Sequence, residues 1–367
     1  MFSFMFRLRT RPPTVLMAAL AGALLAVACT GRPASADDTL TVVTGAATTG
    51  LFDLIEDVAQ GAGFYSEAHL NVIKEYSAGS GTAAQLVASG KADICVLAFD
   101  PILTGYDKGV HLQAFLSRQS RYSYVLAVLA DSPVRTLSDL KGKTIGEPIF
   151  GGASEALMRS ILGGAGLKPS DYGIIPIGYA AANLEAVVSH GVDATVDIFS
   201  NLITNEMMAH VSYRVFRDPI LDGIPNVGFA ALPSTIETKS DILARFSRAI
   251  VKAAVFVRAD PQAAARIFLQ VSGQKVTSDL LARTTRNVTL LEGELPAADP
   301  ANRRIGLVSP SGLQRYSTYL VQYGFMRQPV PGNAIATDRF IAYANDFDRA
   351  PVEALAHKMG SPFASSR

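Results

Sequence analysis

Polar residues able to hold a small solute gather where strand-like runs give way to helix-like ones. Thr48 and Thr49 follow the run from Leu40 to Val43. Ser80, Gly81 and Thr82 follow Asn71 to Tyr76 and open a segment of helical spacing. Phe99 and Asp100 end the run that begins at Ala92, and Gly152, Ala153 and Ser154 repeat the helix-start arrangement after Lys143 to Gly146. Phe199, Ser200 and Asn201 end a run from Val192 that also holds Asp197. Free backbone N–H groups and partial positive charge at a helix start suit an anionic or carbonyl oxygen. Hydroxyls orient a ligand and phenyl rings give it apolar contact. Each of these residues also has a purely structural use. Ser80, Thr82 and Ser154 are ordinary helix caps, and Phe99 and Phe199 fit a core. Asp93 and Asp193 read as turn formers. Asp197 stands among apolar neighbours, which is costly unless it is partnered or faces a cleft. Asp100 and Asp197 in one cleft would favour a cationic or amino-bearing ligand, while two helix starts favour an anion; the residues alone leave both open.

Catalytic chemistry finds no comparable footing. His69, His111, His190, His210 and His357 are scattered, with no Cys, Asp or Glu at metal-ligand spacing. The sequence shows no Ser-His-Asp or Cys-His constellation, no Walker loop and no dinucleotide fingerprint. No catalytic residue, metal or cofactor is therefore assigned. A net charge of +1 over 367 residues gives no reason to expect a nucleic-acid partner. Cys95, in an apolar run, reads as a buried hydrophobe.

The elements that must position these loops alternate. Strand, loop, helix and strand follow one another from Leu40 to Phe99, and again from Lys143 to Phe199, which means parallel α/β sheets. Asn183 is placed to cap one of the helices, and Pro176 points to a sheet edge. At an offset of one hundred residues Ala92-Asp93-Ile94-Cys95-Val96 aligns with Val192-Asp193-Ala194-Thr195-Val196, and Phe99 with Phe199, as in a protein of two alike lobes. From about Asp241 the pattern becomes helical, with Ile242, Phe246, Ile250, Ala253 and Val257 on one face. This late section is expected to pack back on the first lobe.

The N-terminus carries a secretory leader, residues 1–36. Arg7, Arg9 and Arg11 precede an apolar run from Val15 to Ala28 that is too short to span a bilayer stably. Ala34-Ser35-Ala36 suits an ordinary signal peptidase, while Leu25-Ala26-Val27-Ala28-Cys29 is an imperfect lipobox that would make Cys29 the lipidation site. Both fates place the protein outside the cytoplasm, in the periplasm or on the outer face of the cytoplasmic membrane.

Several strings together resemble a known family. They are Gly63-Phe64-Tyr65 with Leu70-Asn71-Val72, then Ser89-Gly90-Lys91-Ala92-Asp93, then Leu137 to Gly146 (Leu-Ser-Asp-Leu-Lys-Gly-Lys-Thr-Ile-Gly). Gly164-Ala165-Gly166-Leu167 and Tyr323-Gly324-Phe325 fit as well. The chain is similar to the nitrate, taurine and sulfonate, and thiamine-precursor class of ABC-transporter substrate-binding proteins. That resemblance implies a type II periplasmic-binding fold, two α/β lobes joined by two crossover strands around a ligand cleft. Lobe I would be residues 39–120 plus 221–367, and lobe II residues 121–220. The first crossover would fall near Arg118 to Tyr124, which adds Ser120 to the candidate ligand contacts; Arg118 and Arg121 read there as surface or structural ion-pair residues. The implied function is capture of a small polar molecule by cleft closure and its delivery to a membrane permease, by a monomer that catalyses nothing. Two alternatives stay open: a thiamine-pyrimidine-type enzyme on the same fold, whose clustered cysteines this sequence lacks, and a sensory binding domain.

Overall fold

The computed structural model describes residues 37–46, 49–119, 122–148, 153–178, 181–209, 211–221, 224, 227–291, 293, 295–296 and 303–361. Cys29, Thr48, Ser120, Arg121 and Gly152 lie outside the described residues, as does the side chain of Ala153. No helix among the described residues is long and apolar enough to cross a membrane.

Ten strands form two sheets. The first contains β1 (Asp38–Thr44), β2 (Leu70–Tyr76), β3 (Ile94–Ala98), β4 (Gln113–Ser117) and β10 (Val227–Ala231), in the order β2-β1-β3-β10-β4. The second contains β5 (Tyr124–Leu129), β6 (Thr144–Glu147), β7 (Gly173–Pro176), β8 (Ala194–Ile198) and β9 (Tyr213–Phe216), in the order β7-β6-β8-β5-β9. In each sheet three parallel strands meet an antiparallel fourth, β10 or β5, that enters directly from a crossover. The chain passes between sheets twice, from β4 to β5 and from β9 to β10. We call the two halves lobe I and lobe II. β3 and β10 are buried along their whole length, as central strands covered on both faces must be. Pro176 ends edge strand β7, where its missing N–H costs no ladder bond.

The similarity at an offset of one hundred has a structural meaning. Asp93 Oδ2 accepts the Thr41 N–H at 3.0 Å while the Asp93 N–H donates to the Thr41 carbonyl at 3.0 Å. Asp193 does the same with Thr144, at 2.9 and 2.8 Å. Each carboxylate also pairs with a lysine, Lys239 at 2.6 Å in lobe I and Lys143 at 3.2 Å in lobe II. A turn aspartate thus clasps the adjacent parallel strand one residue before their pairing begins and sets its register.

Two expectations are corrected. Asn183 is not a cap: it lies inside helix Ala181–Val188, fully buried, and its Nδ2 donates to Thr195 Oγ1 at 2.8 Å, tying the helix to β8. The late helices do not all pack on lobe I alone. Helices Ser240–Ala259 and Pro261–Val271 pack on the first sheet with Leu40, Ile94 and Phe229. Helix Pro310–Gln322 instead joins an apolar cluster that also holds Leu97 of lobe I and Ile145, Leu157 and Val196 of lobe II. It carries two apolar stripes, Leu313-Tyr316-Leu320 and Tyr319-Tyr323, so it can serve two surfaces at once.

The aspartate clasps generate a prediction. Asp93→Ala should lower unfolding free energy in urea by about 1–3 kcal/mol, because a backbone donor and Lys239 both lose their partner. Asp193→Ala, whose carboxylate and lysine are more exposed, should cost less.

Candidate ligand site between the lobes

The carboxyl ends of β1, β2 and β3 converge in lobe I. Ser77 Oγ donates to the Thr44 carbonyl at 2.8 Å, and the Gly45 N–H donates to the Val96 carbonyl at 2.9 Å. Gly45 then passes so near helix Ser80–Ala88 that a Cβ there would stand 2.9 Å from Ser80 Oγ. Gly79, not Ser80, holds the cap position of that helix. Ser80 Oγ accepts the Ala98 N–H at 3.2 Å, bracing the helix start against the end of β3. Thr49, Gly81 and Thr82 are exposed on the same rim.

The next two candidates take structural positions. Phe99 is fully buried in the apolar cluster that joins the lobes, so it adds no ring to an open cleft. Asp100 begins helix Asp100–Tyr106 and accepts a hydrogen bond from the Tyr316 hydroxyl, which lies 2.8 Å from the Tyr122 hydroxyl. Burial raises the Asp100 carboxyl to about 6, against the lowering effect of Tyr316.

Lobe II offers two carboxyl groups at the matching strand ends. Glu147, the last residue of β6, is fully buried and accepts a bond from Ser154 Oγ at 2.9 Å at the start of helix Ala153–Gly164. Burial pushes it up to about 7. Asp197 in β8 is fully buried too, and its Oδ1 accepts the Ile198 N–H at 2.7 Å and Asn201 Nδ2 at 2.9 Å. Burial raises it to about 7. Glu147 Oε2 and Asp197 Oδ2 have no hydrogen-bond partner among the described residues. The strand partners place Glu147 and Asp197 on opposite faces of the sheet, each at a helix start, where negative charge is favoured. Phe199 is half-buried with the Arg217 guanidinium 4.6 Å over its ring.

Between the lobes lies a small, partly open chamber of about 20 Å³, room for roughly one water molecule. Phe52, Ile55 and Leu291 wall it from lobe I, Arg118 and Gln119 from the end of β4, and Ser200 from lobe II. Ser200 is thus the one sequence candidate among its described lining residues. Of the two readings of Arg118, surface or structural ion pair, the structure shows the second. Arg118 is almost wholly buried, its Nε 3.2 Å from Glu56 Oε1, and its guanidinium stacks 3.9 Å over the Phe52 ring. The sequence signal that could have found it is an arginine directly after the apolar strand Gln113–Ser117, where a charge needs a buried partner.

Asp100 makes this geometry testable. A carboxyl raised on folding stabilises the native state most below its unfolded value and loses that contribution as pH rises through its folded value. The window runs from the ordinary 3.8 to about 6. Asp100→Asn, which can still accept from Tyr316, should match wild type in unfolding free energy near pH 3.5. It should then gain on wild type by roughly 2–3 kcal/mol by pH 7. Denaturant titrations at both pH values check this.

Comparison with known proteins agrees with the architecture. A family model described as NMT1/THI5 like matches residues 56–264. A putative thiamine biosynthesis protein of Haemophilus influenzae is 23% identical over 224 residues, 61% of this chain and 70% of the relative. The periplasmic aliphatic sulphonate binding protein SsuA of Escherichia coli superposes with a TM-score of 0.60 at 15% identity, covering 81% of this chain and 91% of SsuA. The desulfurization enzyme DszB superposes with a TM-score of 0.57 at 16% identity, covering 84% and 98%. Two five-stranded sheets with two crossovers are a type II periplasmic-binding fold, and with the family match covering more than half its length the chain belongs to the NMT1/THI5-like family.

Proposed function

We propose that this protein is an extracytoplasmic solute-binding subunit of an ABC importer, which captures a small polar molecule between its lobes and hands it to a membrane permease. One observation carries the reading: the small chamber draws its walls from lobe I, from the first crossover and from lobe II together. A site assembled from two lobes is complete only when they are close, so its ligand stabilises the closed arrangement and shifts that population. The candidate contacts are those of the strand-end loops, with Ser200, Gln119 and Arg118 at the chamber. Thr49, Ser80, Gly81 and Thr82 supply the rim of lobe I.

The leader supports a location outside the cytoplasm, and Cys29 is the proposed lipid attachment. Lobe II is proposed to span about residues 121–220, with the remainder of the mature chain in lobe I. DszB has the same fold, so architecture alone does not separate binding from catalysis. We favour binding because the titratable groups found at the strand ends are engaged with helix starts and tyrosines.

Thermal melting of the purified protein against sulfonates, nitrate, aminopyrimidines, aromatic acids and amines tests the reading. A true ligand at one hundred times its Kd should add about 2.7 kcal/mol to stability. Small-angle scattering should then show a smaller radius of gyration, and mass spectrometry should recover the ligand unaltered. Ligand conversion would make the protein an enzyme, and a flat response across the panel would remove the solute-binding reading. Cys29→Ala should move the protein from the membrane fraction to the soluble fraction; unchanged partitioning would remove the lipid anchor.

A further inference from the structure

Helix Leu54–Gly61 and the short helical turn before it, Leu51–Asp53, bring three buried carboxyl groups together in lobe I: Asp53, Glu56 and Asp57. Two cations meet them. Lys74 of β2 pairs with Asp57 at 2.5 Å, and Arg118, directly after β4, with Glu56 at 3.2 Å. Three acids against two cations leave one negative charge uncompensated away from water, so one carboxyl must take up a proton readily. Hydrogen bonding singles it out. Asp57 Oδ1 accepts the bond from Lys74, and Asp53 Oδ2 accepts the Gly50 N–H at 3.2 Å. Neither Glu56 oxygen has a partner in good hydrogen-bond geometry among the described residues. Its hold on Arg118 rests on charge.

We propose that Glu56 is a proton-operated catch on the first crossover: charged, it holds Arg118 and the start of the crossover against helix Leu54–Gly61, and on taking up a proton from solvent it lets them go. Release frees the lobes to rotate about the crossover. The catch regulates the lobe movement on which the solute-binding reading relies, and it works with no particular ligand.

Arg118 is placed to transmit the change. Its N–H makes a sheet bond to the Val227 carbonyl directly ahead of the crossover. Burial raises the Glu56 carboxyl to about 7, while Arg118 lowers it, Asp53 raises it and Lys74 lowers it. Asp57 and the buried Tyr65 hydroxyl also stand in this cluster. Helices Ser240–Ala259 and Pro261–Val271 pack on the same helix. The first has its cations engaged elsewhere: Arg245 with Asp38 and Asp241, Arg248 with the Tyr343 carbonyl, Lys252 with Glu67, and Arg258 with the Leu295 and Pro296 carbonyls. The second carries one charged residue, Arg266. The sign follows from linkage. Arg118 lowers the Glu56 carboxyl in the tied form, and that lowering is lost when Arg118 leaves and Glu56 stays buried on its helix. The released form binds the proton more tightly, so acid favours release.

Amide hydrogen exchange of the purified protein tests this at residue 118, with rates corrected for the intrinsic effect of pH. Protection of the Arg118 N–H should be about five- to tenfold greater at about pH 8 than at about pH 6. Global stability moves the other way, because buried carboxyls raised on folding favour acid, so the Phe229 amide in central strand β10 should gain no protection over the same range. Glu56→Gln cannot take the charge and should show the low protection of residue 118 at both pH values. Because that variant leaves Arg118 without a counter-ion, the double variant Glu56→Gln/Arg118→Met is measured beside it; with both charges gone, its protection at residue 118 should be independent of pH. A flat response at residue 118 in the parent protein, or greater protection in acid, would overturn the catch. So would an equal gain at Phe229, or the parent response surviving in either variant. Exchange needs no ligand, so a flat melting panel would remove the solute-binding reading while these rates still decide the catch.

Discussion

The hydroxyl of Tyr316 joins parts of the molecule that the sequence holds 216 and 194 positions apart. It has one proton, which goes to the Asp100 carboxyl, so the Tyr122 hydroxyl must be the donor in its second bond. A directed chain runs from the first crossover, through a C-terminal helix, to the end of β3. The same helix reaches lobe II, where the Tyr319 hydroxyl donates to the Ala156 carbonyl at 3.1 Å. Ser160, beside it, bonds Asp218 of the second crossover. Helix Pro310–Gln322 is therefore a pin through both lobes. All three phenol oxygens are buried or nearly so, and an orphaned one would cost more than the bond it lost.

The pin works because the crossovers are clasped at their ends. The Arg118 N–H donates to the Val227 carbonyl at 3.0 Å, extending the first sheet one residue past β4. The Phe199 N–H donates to the Ser123 carbonyl at 2.9 Å, doing the same ahead of β5. Gly228, in β10, lets this junction close up. A Cβ there would stand 2.3 Å from the Leu116 carbonyl oxygen and 2.7 Å from the Phe99 ring. Phe99 is buried at this junction, against Gly228. Any rotation of one lobe against the other must be taken up between Arg118 and Ser123 and between Phe216 and Val227.

The sequence made legible what depends on near neighbours. Period and punctuation placed the three parallel strands of each sheet and the helices between them, and Pro176 marked an edge, while β4, β5, β9 and β10 went unread. The repeated Ala/Val-Asp strings pointed to two alike lobes, and the structure shows two sheets of the same strand order with the same aspartate clasp. What depends on distant partners stayed hidden. Asp100 and Phe99 look like cleft residues from their place after a strand, but their partners are Tyr316 and Gly228, far along the chain. Asn183 looks like a cap from its place before a helix, but Thr195 supplies a better use for its amide. Arg118 could be read only as a surface or structural ion-pair residue, because neither Glu56 nor Phe52 lies near it in sequence.

The buried carboxyl groups of the two lobes differ in kind, and the difference bears on what Arg118 is for. Glu147 and Asp197 accept well-formed bonds from Ser154, Asn201 and the Ile198 N–H, so they stabilise helix starts even while burial disfavours their charge. Glu56 and Arg118 meet without such bonds, almost wholly removed from water. A buried ion pair of that sort contributes little net stability, because desolvation offsets the attraction, and two apolar residues of similar volume would do as well. Stability thus explains the lobe II acids and does not explain the pair at the crossover. The pair instead ties helix Leu54–Gly61, which carries Glu56, to the start of the first crossover, a specific link that apolar residues of similar volume would not supply.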